Sequence, residues 1–484
     1  MRAESRYVLW PAGIAGLALW SPWAAVGGTL FFWITADCRP ALAYYLTPFE
    51  KDRRLWLAPL GLLIALFFAR HPFPPDDLLR DMTAWAWHYN YHKVFWGSPR
   101  VPGYDQYWAF DRIAGMVDRS LPAKWAPLVF QGAALLGFLG VFAAVLGEKL
   151  KDHPLRWTLV SLGLAWTLYT PVLMRIVSAR PEIFFAIWAL AAFLARGKRF
   201  WAWLGTGLLL TPTYWLAGAY AAAFWVLPDR SLRFRLFGGL LFGLATSLCW
   251  EGLSDGSWLH SFLHLSHMIS YRVYGVAEDN GLSIFLQVPT LVLLPVLAVL
   301  LPWRLPRTRI PTLLLFFWFC LPWMIRYVDM LMPLGLVLLA EGLPLGWGLD
   351  WLPPWRARFR AAAFFGLFSV PWSLVPLAPP TLLHVPGSPE HPSRVLAPFG
   401  PKMYDTLYAN PGRVRMAPAM DPGMTERKLQ RLAQSPEKAT CRQLYDSRAQ
   451  YLITGQTVAH RPCLKLIQVR NGWMLWGVAK KPGR

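Results

Sequence analysis

Two adjacent acids, Asp76 and Asp77, follow three prolines in HPFPPDDLLRDM, directly after the apolar run LWLAPLGLLIALFFAR. Proline suits the first turn of a helix, and acids there offset its dipole, so the pair could be plain helix-start chemistry. It could equally deprotonate an acceptor as a general base, or position a divalent cation. Other residues compete for chemical roles. Arg180 and Glu182 lie in the turn MRIVSARPEIFF, where a local ion pair or a helix cap is the plain alternative to a role at a site. Arg326, Tyr327 and Asp329 lie in WMIRYVDMLMP, where the arginine could hold a phosphate or pair with Asp329. His260, His264 and His267 follow helical spacing, with Arg272 after them. Three such histidines could bind metal or phosphate. An interfacial helix needs polar residues on one face in any case, and no acid stands at matching spacing, so the metal question stays open.

The elements that must carry these residues are membrane helices. The chain has 484 residues, of which 55% are hydrophobic and only 15% charged, against about 25% charged in a soluble domain. Apolar runs near the length of a bilayer crossing, about 17–25 residues, recur over the first 380 positions. The formal charge of +21 sits mostly in short loops between those runs. There it sets topology and meets anionic lipid headgroups, and no nucleic-acid partner is implied. The 28 Trp and 17 Tyr fit interfacial belts and packing. The N-terminus has the positive start and apolar stretch of a signal peptide but no clean cleavage site, and is read as a retained hairpin over 8–35, broken at Ser21-Pro22.

Six basic loops, at 49–54, 147–156, 195–200, 228–235, 303–309 and 353–360, are assigned to the cytoplasm. Each interval between them then contains an even number of crossings, with a short hairpin at 200–227 and a last helix at 361–378. The fold expected is mainly α: a polytopic bundle of about 11–13 transmembrane helices with a small α/β extracytoplasmic C-terminal domain. The bundle occupies 1–378, a Pro-rich linker 379–400, and the α/β domain 401–484. Two large loops, 71–125 and 251–282, fall outside, together with the turns at Arg180 and Arg326. Part of the first, 104–121, is amphipathic and suits a membrane surface. In the tail, TERKLQRLAQ reads as a helix capped by Thr425, AQYLITG as a strand, and CLKLIQVRNGWMLWGVA as a hairpin turning at Asn471-Gly472. Cys441 and Cys463 fall on the oxidising side, where they form a disulfide or stay as two buried thiols.

With the four chemistry-bearing segments on one face, the chain resembles the GT-C glycosyltransferases, which include the protein O-mannosyltransferases and the lipid A aminoarabinose transferase. The matching motifs are Asp76-Asp77 in the first external loop, Arg180-Pro181-Glu182 between two later helices, and Arg326-Tyr327 at the outer end of a late helix. The resemblance covers about 55–378 well and the tail more loosely; the N-terminal hairpin departs from it. It implies an inverting transferase of the bacterial inner membrane, with its site facing the periplasm. The donor would be a polyprenyl-phosphate-linked sugar and the acceptor a protein, lipid or glycan. Asp76 or Asp77 would be the base, with the other orienting it or positioning a cation. Arg326, Arg272 and Lys93 would bind the donor phosphate, while Arg180, Glu182, Tyr327, Asp329 and the three histidines shape the site. The competing readings are an O-antigen-type ligase or polymerase, a transporter or flippase for a lipid-linked substrate, and a non-enzymatic membrane scaffold.

Overall fold

The computed structural model describes principally residues 77–97, 108–123, 125–153, 178–191, 328–342, 382–398, 401–417, 426–455 and 461–480, with single positions between them. Asp76, Arg272, Arg326, Tyr327, Thr425 and the three histidines lie outside these residues. So do the hairpins expected at 8–35 and 200–227, the loop 251–282 and the helix at 361–378.

The segment from residue 77 opens with α1 (Leu78–Thr83), which runs into a 3-10 turn over Ala84–Trp87. His88 and Tyr89 then take left-handed backbone, at φ 53 and 59, and end that turn. A short α2 (Tyr91–Val94) follows, with the Asn90 side chain accepting from the His92 N–H at 2.9 Å. The amphipathic stretch forms α3 (Trp108–Ser120). It buries Phe110, Asp111 and Ala114 and exposes Arg112, Ile113, Met116 and Arg119.

Next comes α4 (Ala126–Lys149), 24 residues long and, among the described residues, the one helix long and apolar enough to cross a membrane. At 1.5 Å per residue it spans about 36 Å. Its exposed positions are Trp125, Val129, Ala133, Leu136, Gly140 and Ala144, an apolar stripe at helical spacing. The opposite face, including Phe130, Phe138 and Phe142, is buried. It packs on α5 (Pro181–Ala191) and α6 (Val328–Gly342), which also pack on each other. Lys149 at the end of α4 pairs with Glu341 of α6 at 3.4 Å.

The tail carries a five-stranded mixed sheet in the order β2-β1-β3-β5-β4. β1 (Ser393–Leu396) lies within the segment read from sequence as a linker, so the domain begins before residue 401. β1 pairs in parallel with β2 (Val414–Ala417), and the crossover between them is α7 (Pro401–Ala409). Helices α8 (Arg427–Gln434) and α9 (Cys441–Ser447) lead to β3 (Tyr451–Thr454), parallel to β1. The first residue before α8 is Glu426, with no side-chain cap, rather than Thr425. Thr440 caps α9 instead, in a reciprocal capping box with Gln443. β4 (Leu464–Arg470) and β5 (Trp473–Val478) form the antiparallel hairpin. Its turn residues Asn471 and Gly472 both have positive φ, 48 and 77, as a two-residue hairpin turn requires. Cys441 and Cys463 are joined by a disulfide, with Cα atoms 5.8 Å apart and a sequence separation of 22.

The segment 77–120 and the tail share a core. Buried residues of α1, α2 and α3 belong to one apolar cluster with Met403, Leu407, Val414 and Met416. The contact is also polar and covers one sheet edge. Phe95 bridges to Met416 in parallel, and the Trp96 N–H donates to the Met416 carbonyl at 3.1 Å. The Trp96 indole N–H donates to the Arg415 carbonyl at 3.1 Å, and Arg415 donates to the His92 carbonyl at 2.8 Å. Gly97 has φ +66, and a Cβ there would collide with Leu429. Only glycine meets both conditions without cost.

A candidate ion-pair site around Asp77

Asp77 occupies the residue before α1, and its carbonyl accepts the Asp81 N–H at 2.9 Å. Its side chain makes no capping hydrogen bond. Instead the carboxylate faces two guanidinium groups. Oδ1 is 3.8 Å from Arg80, and Oδ2 is 3.6 Å from Arg180. The helix-start reading of this residue therefore accounts for its place in the chain but not for where its charge is directed.

Local backbone aims Arg180 there. Ala179 has φ 48, in the left-handed region that costs a non-glycine residue about 1 kcal/mol. It turns the chain between the residues preceding it and α5. Pro181 then starts α5, as its fixed φ and missing N–H allow. Arg180 is left at the corner, 15% exposed, beside Asp77 at 22%. Glu182 is buried in the first turn of α5. Two of the sequence motifs, Asp76-Asp77 and Arg180-Pro181-Glu182, thus meet through Asp77 and Arg180, about 100 residues apart in the chain.

Arg80 went unremarked in the sequence, where it reads as an ordinary polar position between apolar ones. It is buried at 3% exposure. Its Nε donates to Asp81 Oδ1 at 2.8 Å, with a second contact from Nη2 to the same oxygen. The guanidinium carbon lies 6.0 Å from the Tyr91 ring centroid and 5.9 Å from that of Tyr404 on α7, the range of a cation–π contact. Neither tyrosine carries a sequence signal for this; a burial pattern alone would place both in the core.

A second carboxylate, Asp118 of α3, meets the same helix α7 one turn along. It accepts from the Trp85 indole N–H at 3.1 Å and is hydrogen-bonded to the Tyr408 hydroxyl. The one proton of that hydroxyl is shared between Asp118 and the Ala123 carbonyl. Burial pushes the Asp118 carboxyl above its ordinary 3.8, against the hydrogen bonds from Trp85 and Tyr408 and the charge of Arg119. Burial, then Asp118, raises the Tyr408 phenol.

No family model, curated protein or solved structure matches this chain. Its function therefore has to be argued from its own residues.

Lys93 is exposed on α2, and the backbone of Asp329 lies in α6. Among the described residues no group of three or more His, Cys, Asp or Glu is arranged to hold a metal ion. Both Asp77 oxygens face guanidinium groups. The Arg180–Asp77 pair, at 3.6 Å, is looser than a hydrogen bond.

Proposed function

We propose that this chain is an integral-membrane glycosyltransferase of the GT-C type, working on the extracytoplasmic face with a polyprenyl-phosphate-linked sugar as donor. The observation that carries the reading is the ion pair between Asp77 and Arg180, because it joins the acidic motif of the first external loop to the arginine of the later turn. A general base, here assigned to Asp76 next to Asp77 in the chain, and a phosphate ligand must be neighbours in such a reaction. The apolar exposed stripe of α4 supports the membrane part of the reading, since a 24-residue helix with that face would meet lipid rather than water.

The acids divide the work. Asp77, paired with two guanidinium groups, is the poorer base, because opposite charge at that range favours the ionised form of a carboxylate. Asp77 orients the cations, and Asp76 is assigned the proton transfer. In the reaction Asp76 takes the proton of an acceptor hydroxyl, and the hydroxyl oxygen forms the new bond to the anomeric carbon. The carbon–oxygen bond to the phosphate breaks, and its electron pair leaves with polyprenyl phosphate. Configuration inverts. Arg180 joins Arg326, Arg272 and Lys93 as a candidate ligand for the departing phosphate, where fixed positive charge stabilises the developing anion.

The purified full chain, reconstituted with lipid, should transfer sugar from a polyprenyl-phosphate monosaccharide, with release of polyprenyl monophosphate. Activity confined to a lipid-linked oligosaccharide would favour the ligase or polymerase reading, and the absence of transfer from a full panel of polyprenyl-phosphate pentoses and hexoses would overturn the assignment.

A further inference from the structure

The C-terminal domain reaches the Asp77 cluster. α7 is the crossover helix of the sheet, and it lies against α1, the helix that Asp77 begins. Met403 and Leu407 are fully buried in that contact region, and Tyr404 between them is 7% exposed. The Tyr404 ring lies under the same guanidinium that Tyr91 meets from α2. That guanidinium is tied to Asp81, which is fully buried, and faces Asp77. The chain of contacts therefore runs from the sheet through one aromatic ring to one arginine, and from that arginine to the carboxylate at the site.

A buried arginine loses its hydration, and π faces replace part of what water supplied. Two rings also restrict where the planar group can lie. A lysine or an aliphatic neighbour would not impose that plane. The position of Asp77 relative to Arg180 then depends on a residue more than 300 positions away in sequence, on a domain with its own sheet and its own disulfide.

We propose that the C-terminal α/β domain is a working part of the site, with Tyr404 a positioning residue that acts with Tyr91 on Arg80 to set the Asp77 carboxylate against Arg180. The kinetic half of this proposal rests on the transferase reading; the structural half does not. Tyr404 and Arg80 touch no substrate in this scheme. Their effect passes through Asp77 to Arg180, so it reaches both the chemical step and the affinity for donor, as a change at Asp77 itself does.

The test compares Tyr404→Phe, which keeps the ring, with Tyr404→Met and Tyr404→Leu, which remove it. Hydrogen exchange on the full chain in lipid reads the structural half. Both ring-less variants should speed exchange in 78–97 by about tenfold or more, while strands β3 and β5 keep their native protection and Tyr404→Phe matches the native protein. Unchanged exchange in 78–97 for the ring-less variants overturns the proposal. So does loss of the sheet in both, which would give the ring a folding role inside its own domain. A Tyr404→Phe variant as fast as Tyr404→Met removes the ring–cation contact as the cause. In the transfer assay the ring-less variants should lower kcat by about 10- to 100-fold and raise KM for the polyprenyl-phosphate sugar in the same direction as Asp77→Asn, while Tyr404→Phe keeps both near native. A native protein without transfer would overturn the transferase reading, and exchange alone would then decide the role of Tyr404.

Discussion

Helix α7 meets two charged corners of residues 77–123 through tyrosines four residues apart, and the two corners differ. At Tyr404 the aromatic face holds Arg80, and the acids nearby, Asp77 and Asp81, are ion-paired. At Tyr408 the hydroxyl does the work, and Asp118 is bonded to neutral donors while burial raises its pKa. The first corner retains charge, and its Asp77 and Arg180 are partly exposed. The second is a latch that ties α3 to the tail.

The largest effect that would separate these corners is Arg80→Met. It leaves Asp81, fully buried, without its guanidinium. Breaking a buried pair from one side costs about 3–5 kcal/mol, readable as a drop in unfolding midpoint of the purified protein. A loss below about 1 kcal/mol would mean the pair is not desolvated as described. Tyr408→Phe should cost less, about 1–2 kcal/mol, because it removes one hydroxyl from the Ala123 carbonyl and Asp118. It should leave transfer activity native; a fall in kcat matching that of the ring-less Tyr404 variants would erase the distinction between the corners.

The smallest effect is the pH dependence of Asp118→Asn. The folded protein holds the Asp118 proton more tightly than the unfolded chain, since its pKa is raised above 3.8. Its destabilising contribution is therefore absent below 3.8 and grows as pH rises through the raised value. The asparagine variant escapes that cost. Its stability relative to native should rise from pH 3 to pH 7 by less than about 1 kcal/mol, because solvent screens a part-exposed group. A relative stability that falls over that range would contradict the burial of this carboxyl.

The sequence made local structure legible where local chemistry decides it. The Asn471-Gly472 turn and the alternating run on either side specify a hairpin without help from the rest of the chain. β1 was lost among prolines: SRVL is four residues long, and its partners β2 and β3 come later in the chain. The Thr440–Gln443 capping box was readable from its spacing, whereas the expected cap at Thr425 stands one residue before the residue that opens α8. At the site, Asp77 and Arg180 were both candidates, and what sequence could not supply was their contact, which depends on the turn at Ala179 and the packing of α1. Arg80 and Tyr404 were invisible for a stronger reason. An arginine in an apolar run and a tyrosine in a helix become informative only when burial and a long-range partner are known, and those are tertiary facts.

The most direct measurement is the steady-state kinetics of Asp76→Asn and Asp77→Asn beside the native protein, with a polyprenyl-phosphate sugar as donor. Asp76→Asn should lower kcat by about 10²–10⁴-fold, the usual contribution of a general base, with little change in KM. Asp77→Asn should lower kcat and raise KM together, since it frees Arg80 and Arg180 from their shared carboxylate. Full activity in both variants would contradict the account.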